Sequence, residues 1–562
     1  MRGVLEDVTG DLFPASPPCL GACEGSFVTS DFDIIIVGSG PAGVSAAFPL
    51  VDAGLRILMV DGGKQPGVLP PEADFLSARA NDTEQWKWMV GEDFHALKKR
   101  DAVSPKLRVP SHAYAFEEFD ARNQVVGKNF ITVGSLATGG LSNAWGCGVA
   151  RFSASEMADF PFPASELDVS YAKVSQRMGV SGRVDDDMSD YFGLDEYSQP
   201  PIPMDALHMH LSQRYLNHRK KLHAHGFRLG RSRVAVLSED IANRQACNLS
   251  GNCLWGCRRR SMYSSTDDLP SLRKHENFSE LSGFVVDGLN RCDGYWAVEG
   301  QTSSDGERRS ITASRIILAA GTLATTRIVL KTLNHRRPVP LLSCPTAAFL
   351  LWLPRLLGAP RTSGFGLGQL SFALALHENI TAFGSTFATT GIPLSEFVRH
   401  VPLKRRYGID LLRGLLSSCV VGNIFLPGNL TAAEARLRED GTLIVSGNYK
   451  YEVAPLIDEA SRKLRKAFWS LGAMLLPGSF TVGRPGGDIH YAGTLPMRKS
   501  PTVGETSQLG ESFGLEGVYV VDGACLPVLP EKSHTLTIMA NADRTGREIA
   551  KMIYSNRGVH GI

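Results

Sequence analysis

Residues 33–61 read DIIIVGSGPAGVSAAFPLVDAGLRILMVD, and this stretch decides the fold of the chain. Residues 34–37 form a short apolar run, which is typical of a strand buried on both faces of a parallel sheet. The run leads into a G-x-G-x-x-G motif at residues 38–43, then into a stretch that can open a helix. A second apolar run, residues 55–60, ends on Asp61. This order predicts a dinucleotide-binding βαβ unit.

The glycines and the acid of this unit have separate predicted roles. Gly38 permits the tight turn, Gly40 lets the backbone approach a pyrophosphate, and Gly43 lets the helix pack closely on the strand. The free N–H groups and the positive dipole end of the helix would face the phosphates. Asp61 is placed to accept hydrogen bonds from a ribose 2′-OH.

Length and composition set the class of protein. A chain of 562 residues is too long for one hydrophobic core, so two or more domains are expected. A net charge of +2 is well below the excess of positive charge that is typical of a nucleic-acid-binding protein. Ten cysteines spread over the chain fit a reducing compartment better than a disulfide scaffold. With no secretory signal and no apolar run long enough to span a membrane, we expect a cytoplasmic protein without a transmembrane helix.

Two further segments leave alternatives. Residues 208–233 carry five histidines, but no carboxylate or cysteine stands at metal-site spacing, so a solvated basic helix is favoured. Residues 411–427 are apolar and follow the basic run at residues 404–406. Such a pattern can seat a helix on a membrane surface as a peripheral contact, although a domain core or a dimer contact is favoured.

Three segments carry a family resemblance. Residues 315–330 have a strand, an Ala-Ala-Gly turn and a helix, and residues 490–497 read H-x-x-G-T-x-x-M. Residues 517–523 predict a buried strand ending on Asp-Gly, and they lead to HTLTIMA at residues 534–540. In this order the chain resembles the glucose–methanol–choline (GMC) oxidoreductase family. Its motifs are nearest to the pyranose oxidase and bacterial FAD-dependent sugar dehydrogenase branch.

The resemblance implies an α/β fold, with a Rossmann-like FAD-binding domain assembled from separated segments and an inserted α+β substrate domain. It implies an FAD-binding domain of residues 31–160, 245–335 and 481–562, and a substrate-binding cap domain of residues 161–244 and 336–480. Residues 1–30, which mix Pro, Gly, Ser and acids, are expected to be a flexible leader.

The resemblance also implies the cofactor site. It places the glycine-rich loop at residues 138–146 against the flavin ring, and the last helix, starting near Thr535, with its N-terminus toward the flavin. Ala144 stands where some relatives carry a histidine bonded covalently to FAD, so non-covalent FAD is expected. The predicted cofactor-binding residues are Gly38, Gly40, Pro41, Ala42, Gly43, Asp61, Gly139, Gly140, Ser142, Asn143, Val286, Gly321, Asp522, Gly523, Thr535 and Leu536.

Two histidines fall on the family's active-site pair. Oxidation of a CH–OH group in a sugar, polyol or other alcohol needs a base for the hydroxyl proton, and a neutral histidine suits this role. His490 is the expected base. His534 is expected to hydrogen-bond the substrate oxygen, although Ser533 is an alternative match to the family's Asn position. A flavin-containing lyase of the same fold remains an alternative.

One cysteine cluster, Cys247-x5-Cys253-x3-Cys257, resembles the site in sugar dehydrogenase subunits that pass electrons through an iron–sulfur cluster. Three thiolates on one loop can hold a [3Fe–4S] cluster. Against this, residues 258–260 are Arg-Arg-Arg where those relatives have small residues or proline. A structural loop with free thiols is favoured over the cluster. The identity of the electron acceptor does not follow from the sequence.

Overall fold

The structure is a computed structural model that describes residues 32–67, 69–98, 104–292, 294–304, 306–398, 401 and 403–559. The expected leader, residues 1–30, lies outside these ranges. The helices are α1 (Pro41–Asp52), α2 (Phe75–Asn81), α3 (Gln85–Val90), α4 (His95–Lys98), α5 (Ala113–Phe116), α6 (Phe119–Arg122), α7 (Asp168–Met178), α8 (Ser189–Phe192), α9 (Ala206–Ala224), α10 (Leu269–Leu272), α11 (Thr322–Thr332), α12 (Ser395–Val398), α13 (Arg405–Leu415), α14 (Val453–Ser470) and α15 (Thr535–Val559).

The strands belong to three main sheets and one two-stranded pair. They are β1 (Phe32–Val37), β2 (Ile57–Asp61), β3 (Val125–Lys128), β4 (Val180–Ser181), β5 (Ser198–Gln199), β6 (Phe227–Arg231), β7 (Phe278–Ser282), β8 (Phe284–Cys292), β9 (Tyr295–Thr302), β10 (Arg308–Leu318), β11 (Val339–Leu341), β12 (Thr346–Trp352), β13 (Gly368–Ala375), β14 (Thr381–Ala388), β15 (Cys419–Phe425), β16 (Thr431–Leu437), β17 (Leu443–Tyr449), β18 (Met474–Leu475), β19 (Thr481–Val482) and β20 (Val518–Val520).

The first sheet has the order β7-β2-β1-β10-β9-β8, with β20 beside β10. Strands β7, β2, β1, β10 and β20 run parallel, and Ile36 of β1 pairs with both Met59 of β2 and Ile317 of β10. Helices α1 and α15 cover one face of this sheet, where Ile34 and Ile36 are fully buried. A parallel sheet covered on both faces requires such continuous apolar strands, so the predicted α/β class is confirmed.

The second sheet has the order β18-β12-β15-β14-β13-β6, with β19 beside β12. Its neighbouring long strands are antiparallel, and their side chains alternate between the two faces. One face packs on α9 and α14 through a core that includes Phe349, Phe372 and Phe468. The other face looks toward the first sheet across a cavity described below.

A third sheet, β11-β16-β17-β3, links the two halves of the molecule. Strand β3, from the segment expected to bind FAD, pairs in parallel with β17, from the segment expected to form the cap. Helix α7, from the segment expected to form the cap, packs on α15, from the segment expected to bind FAD. There Ser170 donates a 2.7 Å hydrogen bond to Asp543, and Tyr171 and Thr537 hydroxyls lie 2.8 Å apart.

Two helical segments bear on the alternatives left by the sequence. In α9, His208 is fully buried and its Nδ1 lies 2.8 Å from Asp205 Oδ1, so the helix is solvated only in part. In α13, Tyr407 and Leu411 are 62% and 49% exposed beside the basic residues 404–406, and the peripheral membrane contact stays a prediction. Among the described residues, each helix is too short or too polar to cross a bilayer.

Candidate active site

A cavity of about 980 Å³ lies between the first two sheets. Its floor is the carboxyl end of β1 and β2 with the turn before α1, and its roof comes from β12, β14, β15 and α13. Ligands of open parallel sheets bind at the carboxyl ends of the strands, which is where this cavity opens. The G-x-G-x-x-G turn and both candidate histidines line the same space.

The three glycines of the turn differ in what surrounds them. Gly38 has a positive φ of 109°, and a Cβ there would lie 2.3 Å from the Ala319 carbonyl oxygen. A Cβ on Gly43 would lie 1.9 Å from the Gly38 carbonyl oxygen, so this glycine is required for packing. A Cβ on Gly40 would meet no atom within 4 Å. Gly40 therefore leaves open space at the helix start, where a pyrophosphate fits.

Asp61 is held in place at the end of β2. Its Oδ1 accepts hydrogen bonds from the Gly63 N–H at 2.9 Å and the Ser282 hydroxyl at 3.0 Å. Its Oδ2 accepts from the Ser39 hydroxyl, and Ser39 Oγ in turn accepts from the Gly139 N–H at 3.0 Å. Ser39 thus ties the turn to both the acid and the glycine-rich loop. The sequence did not single it out, because the motif leaves its middle positions unspecified.

Most predicted cofactor-binding residues line the cavity, but four do not. Those lining it are Gly38, Gly40, Pro41, Ala42, Asp61, Gly140, Ser142, Val286, Gly321, Asp522, Gly523 and Thr535. Gly43, Gly139, Asn143 and Leu536 are not among the residues that line it.

Asn143 is one of the four predicted residues that do not line the cavity. Its amide nitrogen donates to the carbonyl oxygens of Thr138 at 2.8 Å and Gly140 at 2.9 Å. Its Oδ1 accepts from the Ser264 hydroxyl at 3.0 Å. The side chain therefore fixes the shape of the glycine-rich loop, while Gly140 and Ala144 lie at the cavity surface.

Asp522 joins two chain segments at the cavity wall. Its Oδ2 accepts from the Gly321 N–H at 2.9 Å and from the Thr325 hydroxyl, and its Oδ1 accepts from the Ala524 N–H at 3.0 Å. Burial raises the pKa of this carboxyl to about 6. The side chain holds the loop after β10 against the loop after β20, so it shapes the site as well as lining it.

His490 and His534 form a pair at the inner part of the cavity. Their ring centroids are 5.1 Å apart with planes at 73°, and Phe425 of the roof lies 5.4 Å from the His490 ring. Burial lowers the pKa of His490 to about 4, and burial together with the nearby His490 lowers the pKa of His534 to about 3. Both rings are therefore neutral near pH 7. Within the described part of the chain, the buried Nδ1 atoms of both rings have no hydrogen-bond partner.

Asp488 lies beside this pair and was missed in the sequence. Its carboxyl accepts from the Ser343 hydroxyl at 2.6 Å and the Cys344 N–H at 2.7 Å, and burial raises its pKa to about 7. Its Oδ2 is 3.8 Å from His490 Nδ1, just beyond hydrogen-bond distance. The only sequence signal was an acid two residues before the histidine, which is common in loops.

Glu531 is a second buried acid that the sequence did not reveal. It lines the cavity three residues before His534, and its Oε1 accepts a 3.0 Å hydrogen bond from the Tyr191 hydroxyl. Burial raises the pKa of Glu531 to about 7. The cavity is therefore lined by one buried acid two residues before His490 and another three residues before His534, each with a pKa of about 7.

The iron–sulfur cluster, the less favoured alternative for Cys247, Cys253 and Cys257, finds no support in the structure or the comparisons. The three cysteines are free thiols in the structure. Among the described residues, three potential ligands for a single metal ion lie within 4.8 Å of one another at Cys344, Asp488 and His490. Burial raises the pKa of Cys253 to about 12.

Comparison with known proteins gives two family matches. Residues 32–139 match the pyridine nucleotide-disulphide oxidoreductase model, and residues 485–542 match the GMC oxidoreductase model. A search of curated proteins found no match. The first match covers the predicted dinucleotide-binding unit and the chain as far as the glycine-rich loop.

Solved structures share the fold over nearly the whole chain. A pyridoxine 4-oxidase from Mesorbium loti matches with a TM-score of 0.57 at 15% identity, over 92% of this chain and 99% of its own. A formate oxidase matches with a TM-score of 0.59 at 12% identity, over 93% and 99%. A formate oxidase variant from Aspergillus oryzae RIB40 gives the same values. The family matches and the common fold together support the assignment of the chain to the GMC oxidoreductase family, with FAD as its cofactor.

Proposed function

We propose that the protein oxidises the CH–OH group of an alcohol with FAD as oxidant and His490 as the base. The observation that carries this proposal is the histidine pair: both residues line the cavity, and their rings lie 5.1 Å apart, centroid to centroid. When bound, FAD supplies the hydride acceptor at its N5 atom. The O–H proton passes to His490 while the C–H bond breaks and its electron pair leaves with the hydride, so the alcohol becomes a carbonyl compound.

His490 is the better base of the two. Its side chain keeps 23% of its surface exposed, whereas His534 as a whole is 8% exposed. Because its pKa is about 4, the ring is unprotonated near neutral pH and can accept the hydroxyl proton. His534, at the start of α15, would hydrogen-bond the substrate oxygen and stabilise the negative charge that develops there.

The residues at the floor fit FAD. Gly40 leaves space at the start of α1 for the pyrophosphate, and Asp61 stands at the end of β2 where a ribose would lie. Thr535 begins α15 and lines the cavity, so the positive end of that helix points toward the flavin position. Ala144 lines the cavity with a methyl group that forms no bond to a flavin, which supports non-covalent binding.

Anaerobic mixing of the yellow holoprotein with alcohols tests the proposal. An alcohol oxidoreductase bleaches its flavin with the right substrate, while a lyase of the same fold does not. His490→Ala should keep FAD and lose ~10²–10⁴ in the rate of flavin reduction, the usual worth of general-base catalysis. His225→Ala, at the exposed end of α9, is the matched control. A His490→Ala protein that bleaches at the parental rate would show that the base is elsewhere.

A further inference from the structure

The roof of the cavity is apolar from the histidines outward. On β12, β14 and β15, alternate side chains face the cavity, and most of them are hydrocarbon. The Phe425 ring contacts the His490 ring. Phe383 on β14 pairs with Phe425 on β15. Farther along the same strands, Val421 pairs with Phe387 and Leu350. A strand rises ~3.3 Å per residue, so the stretch from residue 425 to residue 421 extends the cavity ~13 Å away from His490.

The outer end of the cavity is closed by a second apolar group. Side chains from α12, α13 and the loops beside them pack together there. Those that line the cavity are Phe397, Val401, Leu412, Leu415 and Leu476. Two charged residues that line the cavity here, Arg108 and Glu396, are paired with each other. No unpaired charge among the described lining residues of this outer part would attract a polar ligand.

A few polar side chains of the roof already form hydrogen bonds with other protein groups. Ser371 Oγ lies 2.7 Å from Ser232 Oγ and 2.8 Å from Ser385 Oγ, so the three hydroxyls bind one another. Asn423 Oδ1 accepts a 2.9 Å hydrogen bond from the Ser385 N–H. A sugar carries a hydroxyl on nearly every carbon, and each would lose its water here with few partners in exchange.

We infer that the substrate is an alcohol with an apolar body, alkyl or aryl, and that sugars and polyols are excluded. This inference rests on the proposed function and names its substrate class. The reacting hydroxyl lies at the two histidines, where the buried carboxyl group of Asp488 is 3.8 Å from His490 Nδ1. The rest of the molecule lies under β15 toward α13, and each buried methylene adds to its affinity.

Two measurements on the holoprotein test this. The first is anaerobic flavin reduction by 1-alkanols from ethanol to decanol and by benzyl alcohol, compared with glucose and sorbitol. The second is equilibrium binding of 2-alkanones of the same lengths, read from the flavin absorbance, because these ketones have no hydroxyl to oxidise. Affinity should rise up to about fourfold per added methylene until the roof is filled, from the transfer free energy of a CH₂ group.

Val421→Thr is the matched probe, since it replaces one methyl group of the roof by a hydroxyl at nearly constant volume. It should weaken the binding of long ketones roughly fivefold or more while leaving the shortest ones unchanged. Val503→Thr, at a 49% exposed position away from the cavity, is the control. If Val421→Thr does not fold, Phe387→Leu serves in its place, because it removes aromatic area without adding a polar group.

The outcomes separate the two claims. Reduction by sugars but not by apolar alcohols overturns the substrate class and leaves the oxidoreductase proposal standing. Ketone affinity that is independent of chain length also overturns the substrate class. Length-dependent ketone binding without reduction by any alcohol supports the apolar ligand and contradicts the oxidoreductase proposal.

Discussion

Replacing Gly40 by alanine is expected to weaken FAD binding without harming the folded apoprotein. Gly40 has φ −66°, a conformation that alanine adopts freely, and its added Cβ would meet no protein atom within 4 Å. The apoprotein should therefore keep its stability or gain ~0.4–1 kcal/mol from the lower entropy of the unfolded chain. The methyl group would instead stand in the space left for the pyrophosphate. Loss of one hydrogen bond to a charged group costs ~1.5–3 kcal/mol, which weakens FAD binding ~10–150-fold.

Gly43→Ala, in contrast, should destabilise the folded apoprotein. Alanine in place of glycine in a helix gains up to ~1 kcal/mol from propensity alone. Here the new Cβ would lie 1.9 Å from the Gly38 carbonyl oxygen, and both atoms belong to backbone-anchored positions. Overpacking of this kind costs ~1–3 kcal/mol or more, so the clash outweighs the propensity and the apoprotein loses stability. Gly414→Ala in α13, where a Cβ meets nothing within 4 Å, is the control that should show the propensity gain.

The assay has two parts. Urea unfolding of deflavinated protein gives the free energy of unfolding, and titration of FAD fluorescence gives the dissociation constant. Parental FAD affinity in Gly40→Ala would show that the phosphates do not approach this residue. Parental stability in Gly43→Ala would show that the close helix–turn packing is not required.

Three further predictions concern the site. Asp488 has a pKa of about 7 and lies 3.8 Å from His490 Nδ1, so its ionisation above that pH should favour protonated His490 and strengthen it as a base. The rate of flavin reduction should rise through pH ~4, where His490 becomes neutral, and again through pH ~7, where Asp488 ionises. The Asp488→Asn variant should lose only the upper of these two steps. An upper step that persists in the variant would argue against this role of Asp488. Acid precipitation should release FAD from the polypeptide because of Ala144, and retained flavin would show a covalent link. Protein purified anaerobically should contain background iron and free thiols at Cys247, Cys253 and Cys257, whereas iron near three per chain would establish the [3Fe–4S] cluster.

The nucleotide-binding unit was predictable because its determinants are local. Strand, turn and helix between residues 33 and 61 follow from apolar runs and glycines that lie next to one another in the sequence. The two histidines were found through short motifs, again within a few residues. The assignment of Asn143 to the flavin surface was less exact, since its amide serves the loop and does not line the cavity.

Features that depend on distant contacts escaped the sequence. Tyr191 and Glu531 are 340 residues apart in the chain and become hydrogen-bonded only in the fold. The alternation of residues along β14 and β15 indicates a strand, but it does not tell which face looks into a cavity. The location of the Leu-rich segment before β15 also could not be predicted from its sequence. The same apolar residues can line a pocket, fill a core or contact a membrane.

The pairing of β3 with β17 has a practical consequence for anyone who wishes to exchange the cap for that of a relative. If residues 336–480 were excised, β3 would lose its only neighbour among the described strands and become a bare sheet edge. Exposed edges of this kind recruit other chains and promote aggregation. A chimaera should therefore carry β3, β11, β16 and β17 together as one graft, with its junctions placed in the loops outside that sheet.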